Sequence, residues 1–494
     1  MVVIEKIDEI FLQIQSDWDV ALELKEHFSC YADNYKWSPK FKSGFWDGKI
    51  SFFNLQNRTL PIGLLPKLIK YFKSFKYKYK FNFDIGDITN FLKDGEIEKF
   101  SKHILRDTSF EARQHQLEAV EMAIKNKRGV IRAATASGKS MMIYLTIMYV
   151  MIENPSAKIL LVVPSTSLVE QMYSDFEKYG MPKIDLVVDK LYTGKKITNK
   201  PILISTWQSL QRKPPAFFEK FDGIIVDECH GSKAYEMRLI LEKCINAEYR
   251  IGYTGTLPEG RSNLYNIFGF LGPKVYDIGS KILMDKGILS KMDIINVKMK
   301  YPEDVVKKNK KLDYFEEESF IIKYKKRNKV IKKIIDNIPD GQNTLLLVKR
   351  IEHLDLILEY LEDNLDDKFI IENISGKTKP EEREAIRNLM EKEKNVILVA
   401  TFGTLSTGVS INNLHNVMFA SSYKSKIKVL QSIGRGLRTH ISKDKVIIWD
   451  LVDDMSYKKR TGKMKYNYTY LHWQERLKHY KKEGFEYKNM KIVL

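Results

Sequence analysis

The stretch Ala133-Ala134-Thr135-Ala136-Ser137-Gly138-Lys139-Ser140 follows the apolar run Val130–Ala133 and precedes a second apolar run that starts at Met141. A short buried strand, a loop of small residues ending Gly-Lys-Ser and the start of a helix make the setting of a phosphate-binding loop. Gly138 lets the backbone approach phosphate oxygens, and Lys139 places a point charge on the terminal phosphates. Ser140 offers a hydroxyl to Mg²⁺, and the helix N-terminus adds N–H donors and a dipole. Ala133, Thr135, Ala136 and Ser137 complete the cradle. The general loop has Gly where Ala133 stands.

Downstream, Ile224-Ile225-Val226 runs into Asp227-Glu228-Cys229-His230. A buried strand ending in two adjacent acids is a Walker-B arrangement. Asp227 is expected to hold Mg²⁺, and Glu228 to position and deprotonate an attacking water. Cys229 reads as packing. His230 reads by itself as a solvated turn residue.

Outward from these two motifs, short Val/Ile/Leu runs alternate with helical stretches. One set is Val130–Ala133, Ile159–Val163, Ile202–Ser205, Gly223–Val226 and Arg250–Tyr253. A second is Thr344–Val348, Phe369–Ile374, Val396–Ala400, Asn416–Ala420 and Val446–Trp449. Continuous apolar runs separated by helices predict parallel strands buried on both faces, in doubly wound α/β sheets. Two sets predict two tandem lobes, over 101–285 and 286–455. The second opens on a charged, helix-compatible stretch, Lys298 to Lys333. Residues 1–100 are aromatic-rich and basic, with turn signals at Trp37-Ser38-Pro39 and Gly44 to Lys49, and read as a small α+β domain. Residues 456–494 read as a basic extension.

The chain of 494 residues carries 82 Lys+Arg against 63 Asp+Glu, a formal charge of +19. At roughly 150 residues per domain that length predicts about three domains. The positive excess favours a polyanionic partner. Lys67, Lys70, Lys73, Lys76, Lys78 and Lys80 interleave with Tyr71, Phe72, Phe75, Tyr77 and Tyr79. The expected compromise is core aromatics with phosphate-facing lysines. Three cysteines without a CxxC pair support neither a disulfide framework nor a zinc ribbon. Acids inside the first apolar stretch argue against a signal peptide, and no run is long enough to span a bilayer. An intracellular protein without a membrane partner is expected.

The order of further motifs resembles superfamily 2 helicases and translocases, whose DExH signature Asp227–His230 matches. Arg113 and Gln116 lie in a stretch like the Q-motif, where Gln116 would read adenine. Val162 to Gln171 resembles motif Ia, Ser205 to Gln208 motif Ic, Thr254-Gly255-Thr256 motif III and Ser375-Gly376-Lys377 motif IVa. Ala400-Thr401 through Thr407-Gly408-Val409-Ser410 resembles motif V, and Gln431 through Arg438 motif VI. One departure is Ala136, where that superfamily usually has Gly. That superfamily accepts Ala at position 133. Trp46-Asp47-Gly48-Lys49, the Ser205–Leu210 segment and Leu405 to Ser410 are similar to the T4-type phage UvsW recombination helicases.

The resemblance implies two RecA-like lobes behind an N-terminal substrate-recognition domain. It implies ATP with Mg²⁺, Gly408 among the nucleotide contacts and Arg435 and Arg438 as charge on the γ-phosphate. Coupling falls to His230, Thr254, Thr256 and Gln431. Backbone phosphates of a tracked strand fall to Thr166, Thr206 and Thr401, with Lys349 after its strand as a further contact. Branched or forked DNA and RNA–DNA hybrids are the implied substrates: Holliday junctions migrated, forks regressed, R-loops dissociated. Recombination, repair and replication proteins are the implied company, in the host cytoplasm of a phage. An RNA helicase, an annealing protein using ATP as a switch and a restriction-system motor stay open as alternatives.

Overall fold

The computed structural model describes residues 1–84, 86, 92–192, 198–230, 234–405, 411–423, 425, 429, 432–434, 437, 440 and 442–494, with the side chains of 234, 235, 380 and 405 excepted. They form two compact units, 1–134 with 138–278, and 135–137 with 279–494.

The first unit begins with β1 (Val2–Lys6), β2 (Phe11–Gln15), β3 (Ser29–Tyr31), β4 (Lys49–Ser51), β5 (Thr59–Pro61) and β6 (Tyr79–Phe81). A mixed sheet runs β5-β2-β1-β6, and β3 pairs with β4. The helix Leu65–Ser74 lays Leu65, Leu68, Tyr71 and Phe72 on the core, the spacing of one helical face. Lys67, Lys70 and Lys73 remain exposed, and Lys80 points outward between half-buried Tyr79 and Phe81. The aromatic–lysine run thus divides into core and surface, with Phe75 as an exposed exception.

This small domain has its own core but is fastened to the lobe behind it. Ile10 sits in the core of that lobe, and Glu9 pairs with buried Arg128 at 2.5 Å. The turn Ile62–Leu64 presses on the helix Arg261–Leu271. A Cβ on Gly63 would stand 1.8 Å from the carbonyl oxygen of Phe268, so only glycine fits there.

Lobe one is a seven-stranded parallel sheet of β7 (Arg128–Ala133), β8 (Ile159–Val163), β9 (Val188–Leu191), β10 (Ile202–Thr206), β11 (Gly223–Asp227), β12 (Tyr249–Thr254) and β13 (Lys274–Ile278), in the order β13-β7-β12-β11-β8-β10-β9. Under it, fully buried Arg250 donates to the carbonyls of Phe270 (2.8 Å), Cys244 (2.8 Å) and Leu241 (2.7 Å).

The second unit repeats the design with β14 (Lys291–Lys300), β15 (Thr344–Val348), β16 (Ile370–Ile374), β17 (Val396–Thr401), β18 (Asn416–Phe419), β19 (Lys445–Asp454), the hairpin β20 (Tyr457–Lys458) and β21 (Met464–Lys465), and β22 (Tyr487–Val493). Its parallel sheet runs β16-β17-β15-β18-β19-β14-β22. Residues 456–494, read from sequence as a basic extension, supply the hairpin, the helix Tyr468–Lys482 and the last strand of this sheet. Arg476 on that helix is buried against Asp450 at 2.7 Å, and Tyr480 donates to the same carboxylate at 2.8 Å. The charged stretch Lys298–Lys333 opens inside β14 and continues as the helices Glu303–Asn309 and Tyr314–Lys323 and most of Lys325–Asp336. All ten strands expected from apolar runs are present. Of the sheet strands not expected in the two lobes, β9, β13 and β22 lie at sheet edges, where a continuous apolar run is not needed. The fourth, β14, alternates apolar residues with Asp293, Asn296 and Lys298.

Candidate active site

Strand order assembles this site. β12 lies between β7 and β11, with Thr254 opposite Arg132 and Tyr253 opposite Asp227. The loop after β7, the acids ending β11 and the turn after β12 therefore emerge side by side at the carboxyl edge of the sheet, where open α/β folds bind ligands. Thr146, on the helix Lys139–Glu153, shares a 2.7 Å hydrogen bond with the Tyr253 hydroxyl and ties that helix to β12.

Gly138 caps the helix Lys139–Glu153 with φ +84°, and a Cβ there would approach Gln116 Nε2 to 2.1 Å. Backbone conformation and side-chain approach both demand glycine. Ala136 also has positive φ, +68°. The departure from glycine noted in the sequence therefore falls where an alanine is strained. Gln116 is buried and accepts the Arg113 N–H through Oε1 at 2.8 Å, at the start of the helix Gln114–Asn126.

Lys139 Nζ lies 3.4 Å from the Ala133 carbonyl oxygen and 3.8 Å from Glu228 Oε1. Glu228 itself has φ +51°, a strained value for a non-glycine residue, and its N–H donates to Asp227 Oδ1 at 2.9 Å. His230 Nδ1 is 3.0 Å from Glu228 Oε2 and 2.6 Å from Thr254 Oγ1. The Thr254 hydroxyl donates to the Thr256 carbonyl at 2.7 Å and accepts the Thr256 N–H at 3.2 Å. With that proton turned to Thr256, the Nδ1–H tautomer of His230 suits the site, donating to Thr254 with Glu228 Oε2 close by. Lys139, Glu228, His230 and Thr254 thus form one connected, partly buried set, with Asp227 beside it.

Burial, helped by the adjacent Glu228, pushes the Asp227 carboxyl well above the usual range. Burial acts on Glu228 in the same direction, but Lys139 and His230 outweigh it and hold that carboxyl low. Buried Asp227 and half-buried Glu228 facing one lysine leave a deficit of positive charge, which suits a divalent cation at Asp227 and the Ser140 hydroxyl. Among the described residues no group of three or more His, Cys, Asp or Glu is arranged to hold a metal ion by itself.

Ser140 Oγ is 2.9 Å from the Tyr179 hydroxyl, a neighbour that no motif announced. Tyr179 packs edge-on against Phe110 at 5.1 Å. Thr166 is exposed at the start of the helix Thr166–Lys178. Thr206 is buried with its hydroxyl 3.0 Å from Ser209, and Thr401 is buried with its hydroxyl 2.5 Å from Thr404. Lys349 donates to Glu318 at 3.1 Å and to the Tyr314 hydroxyl, so its ammonium is committed within lobe two. Gly408, Gln431, Arg435 and Arg438 lie outside the described residues. Sequence reading also left unassigned a surface of the N-terminal domain. There Phe45 is 90% and Trp37 75% exposed, Tyr31 stacks on Tyr35 at 4.5 Å, and Lys42 lies over the Trp37 ring.

Three family models match the chain. They are the N-terminal model of the DNA helicase UvsW over residues 4–84, the res subunit of type III restriction enzymes over 109–259, and the helicase conserved C-terminal domain over 325–440. The ATP-dependent DNA helicase uvsW of Enterobacteria phage T4 is 31% identical over 484 residues, 94% of each chain. The DNA 3'-5' translocase XPB2 of Sulfurisphaera tokodaii is 25% identical over 413 residues, 75% of this chain and 88% of that one. The crystal structure of T4 UvsW aligns over 100% of this chain and 99% of its own, at 28% identity and a TM-score of 0.52. Two lobes each built on a parallel sheet, a phosphate loop, an acid pair and 31% identity over 94% of both chains coincide, and the chain belongs to the UvsW family of superfamily 2 ATP-dependent DNA helicases.

Proposed function

We propose that this helicase is a motor on branched DNA, driving Holliday junction migration, fork regression and R-loop dissociation during recombination, repair and replication in the host cytoplasm. The observation that carries the motor reading is the Lys139–Glu228–His230–Thr254 network, which joins the hydrolytic residues to the turn after β12. Lys139 binds the terminal phosphates. Glu228 orients water and takes its proton as the oxygen–phosphorus bond forms and the bond to the leaving diphosphate breaks. Asp227 and Ser140 would hold Mg²⁺, which would supply positive charge to the phosphate oxygens when bound.

A proton arriving on Glu228 removes its negative charge and weakens its hold on His230. His230 is then held chiefly by Thr254, and the change reaches the Thr254–Thr256 turn. Arg435 and Arg438 add fixed positive charge on the γ-phosphate, with Gln431 in the coupling set and Gly408 at the nucleotide. Thr166, Thr206 and Thr401 track backbone phosphates without reading bases. The exposed Trp37, Phe45 and Tyr31, among lysines, suit stacking on unpaired bases at a branch point. Proteins of recombination and replication are the expected company.

The test compares ATPase stimulation by single-stranded DNA, single-stranded RNA, forks and four-way junctions, with Lys139→Ala as control. Stimulation by branched DNA above the other ligands is expected. Unwinding that survives Lys139→Ala would sink the motor, and absent stimulation by any DNA would sink the substrate.

A further inference from the structure

Two basic runs far apart in sequence meet in the second unit. A cleft of about 550 Å³ lies between the helix Glu303–Asn309 and the hairpin β20–β21. One run brings Lys300, Lys307 and Lys310, and the other brings Lys458, Lys459 and Arg460, while Glu303 is the only acid in the lining. Lys300 is occupied, donating to the Ser456 carbonyl at 2.8 Å and to Asp454 at 3.3 Å. Lys307 lies 3.7 Å from Glu303 in a solvent-exposed pair, worth little in water. Lys310, Lys458, Lys459 and Arg460 form no ion pair among the described residues.

The hairpin that presents these charges is ordered by its own backbone. Tyr457 pairs with Lys465 and Lys458 with Met464. Lys459 N–H donates to the Lys463 carbonyl at 2.9 Å, and Gly462 turns the tip with φ +77°. Beneath the charges the lining is apolar: Tyr301 and Val306 are buried, and Met464 is 47% exposed at the rim. Like charges gathered over an apolar floor repel one another, and a polyanion relieves that repulsion. The cations come from separate elements and are continued along the hairpin by exposed Lys463 and Lys465. A ligand with repeated charges matches such a row better than a single compact anion.

We propose that this cleft and hairpin hold the phosphodiester backbone of a nucleic-acid strand, at a site separate from the helicase motifs and independent of base sequence. The inference rests on the motor reading above, and the experiment separates the two. In the full chain, Lys458→Ala, Lys459→Ala and Arg460→Ala are combined, and Lys325→Ala, Lys326→Ala and Lys329→Ala on an exposed helix face serve as a charge-matched control. Affinity for a labelled single strand is followed by fluorescence anisotropy across a salt series. Each phosphate contact on a single strand contributes about 0.7 to the slope of log affinity against log salt, so the cleft variant should lose about 2 from that slope. About ten-fold weaker binding at moderate salt should accompany it, with basal ATPase and circular dichroism unchanged and the control like the parent.

A cleft variant that binds like the parent, or no worse than the control, overturns the inference and leaves the motor reading standing. Loss of tripolyphosphate binding with strand binding intact overturns it in favour of a small-anion site. A parent that binds no nucleic acid overturns both. If the triple variant fails to fold, a photo-crosslinking phenylalanine derivative replacing Met464 decides: attachment to the strand supports the site, and no attachment refutes it.

Discussion

In lobe one Lys139 has Glu228 at 3.8 Å and the Ala133 carbonyl at 3.4 Å, at one end of a chain of contacts that runs through Glu228 and His230 to Thr254. In lobe two Lys310, Lys458, Lys459 and Arg460 stand in a cleft with Glu303 as the one acid of the lining. The first arrangement fixes charge where a reaction must be stabilised, and it accepts backbone strain at Ala136 and Glu228 to do so. The second leaves charge unpaired, as binding a mobile polyanion requires. Rate should therefore be lost by touching the first region and affinity by touching the second.

The largest break in that comparison is Glu228→Gln. Loss of a general base should lower DNA-stimulated ATPase by about 10²–10⁴-fold while salt-dependent strand binding stays as in the parent; steady-state ATPase beside anisotropy measures both. An equal loss of both would dissolve the distinction. Next is Arg250→Met. It removes the guanidinium donor from three buried carbonyls, of which those of Leu241 and Cys244 keep a backbone N–H, and we expect about 3 kcal/mol of destabilisation in a denaturant titration. Thr254→Ala should cost about 1–2 kcal/mol through the lost buried hydrogen bonds. It should also retain more ATPase than unwinding, and unwinding preserved in proportion to ATPase would remove Thr254 from the coupling path.

Acid sharpens the contrast within lobe two, where His353 is a committed polar centre. Burial, with Arg327 and Arg350 nearby, holds His353 well below its ordinary value, and its Nδ1 lies 2.7 Å from Ser421 Oγ. The folded state keeps it neutral while the unfolded chain takes up a proton. Stability is therefore complete above about pH 6.5 and falls as pH drops below it, by at most about 1.4 kcal/mol per pH unit for one proton. Denaturation midpoints at pH 7.5 and 5.5 should differ less in His353→Gln than in the parent. Ala136→Gly is the smallest change. It relieves the left-handed backbone against a higher unfolded-state entropy, for a net gain of about 0.5 kcal/mol or less, readable as a thermal shift.

Much of this molecule was legible locally. Continuous apolar runs announced ten parallel strands, because a strand buried on both faces leaves no room for polar residues. Gly138-Lys139-Ser140 and Asp227-Glu228 announced the reaction, because phosphate chemistry needs those groups next to a helix start and a strand end. Edge strands β9, β13 and β22 escaped because half their surface meets water, and the Glu318 partner of Lys349 was not legible because it comes from the helix Tyr314–Lys323, some thirty residues back along the chain.

Which short segments fold as strand, loop or helix, and which side chains they carry, depends on interactions within a few residues and could be read along the chain. That β12 separates β7 from β11, that His230 meets both Glu228 and Thr254, and that Lys300–Lys310 faces Lys458–Arg460 are tertiary facts. Those facts follow from crossover connections and sheet order, which are fixed by packing between residues far apart along the chain.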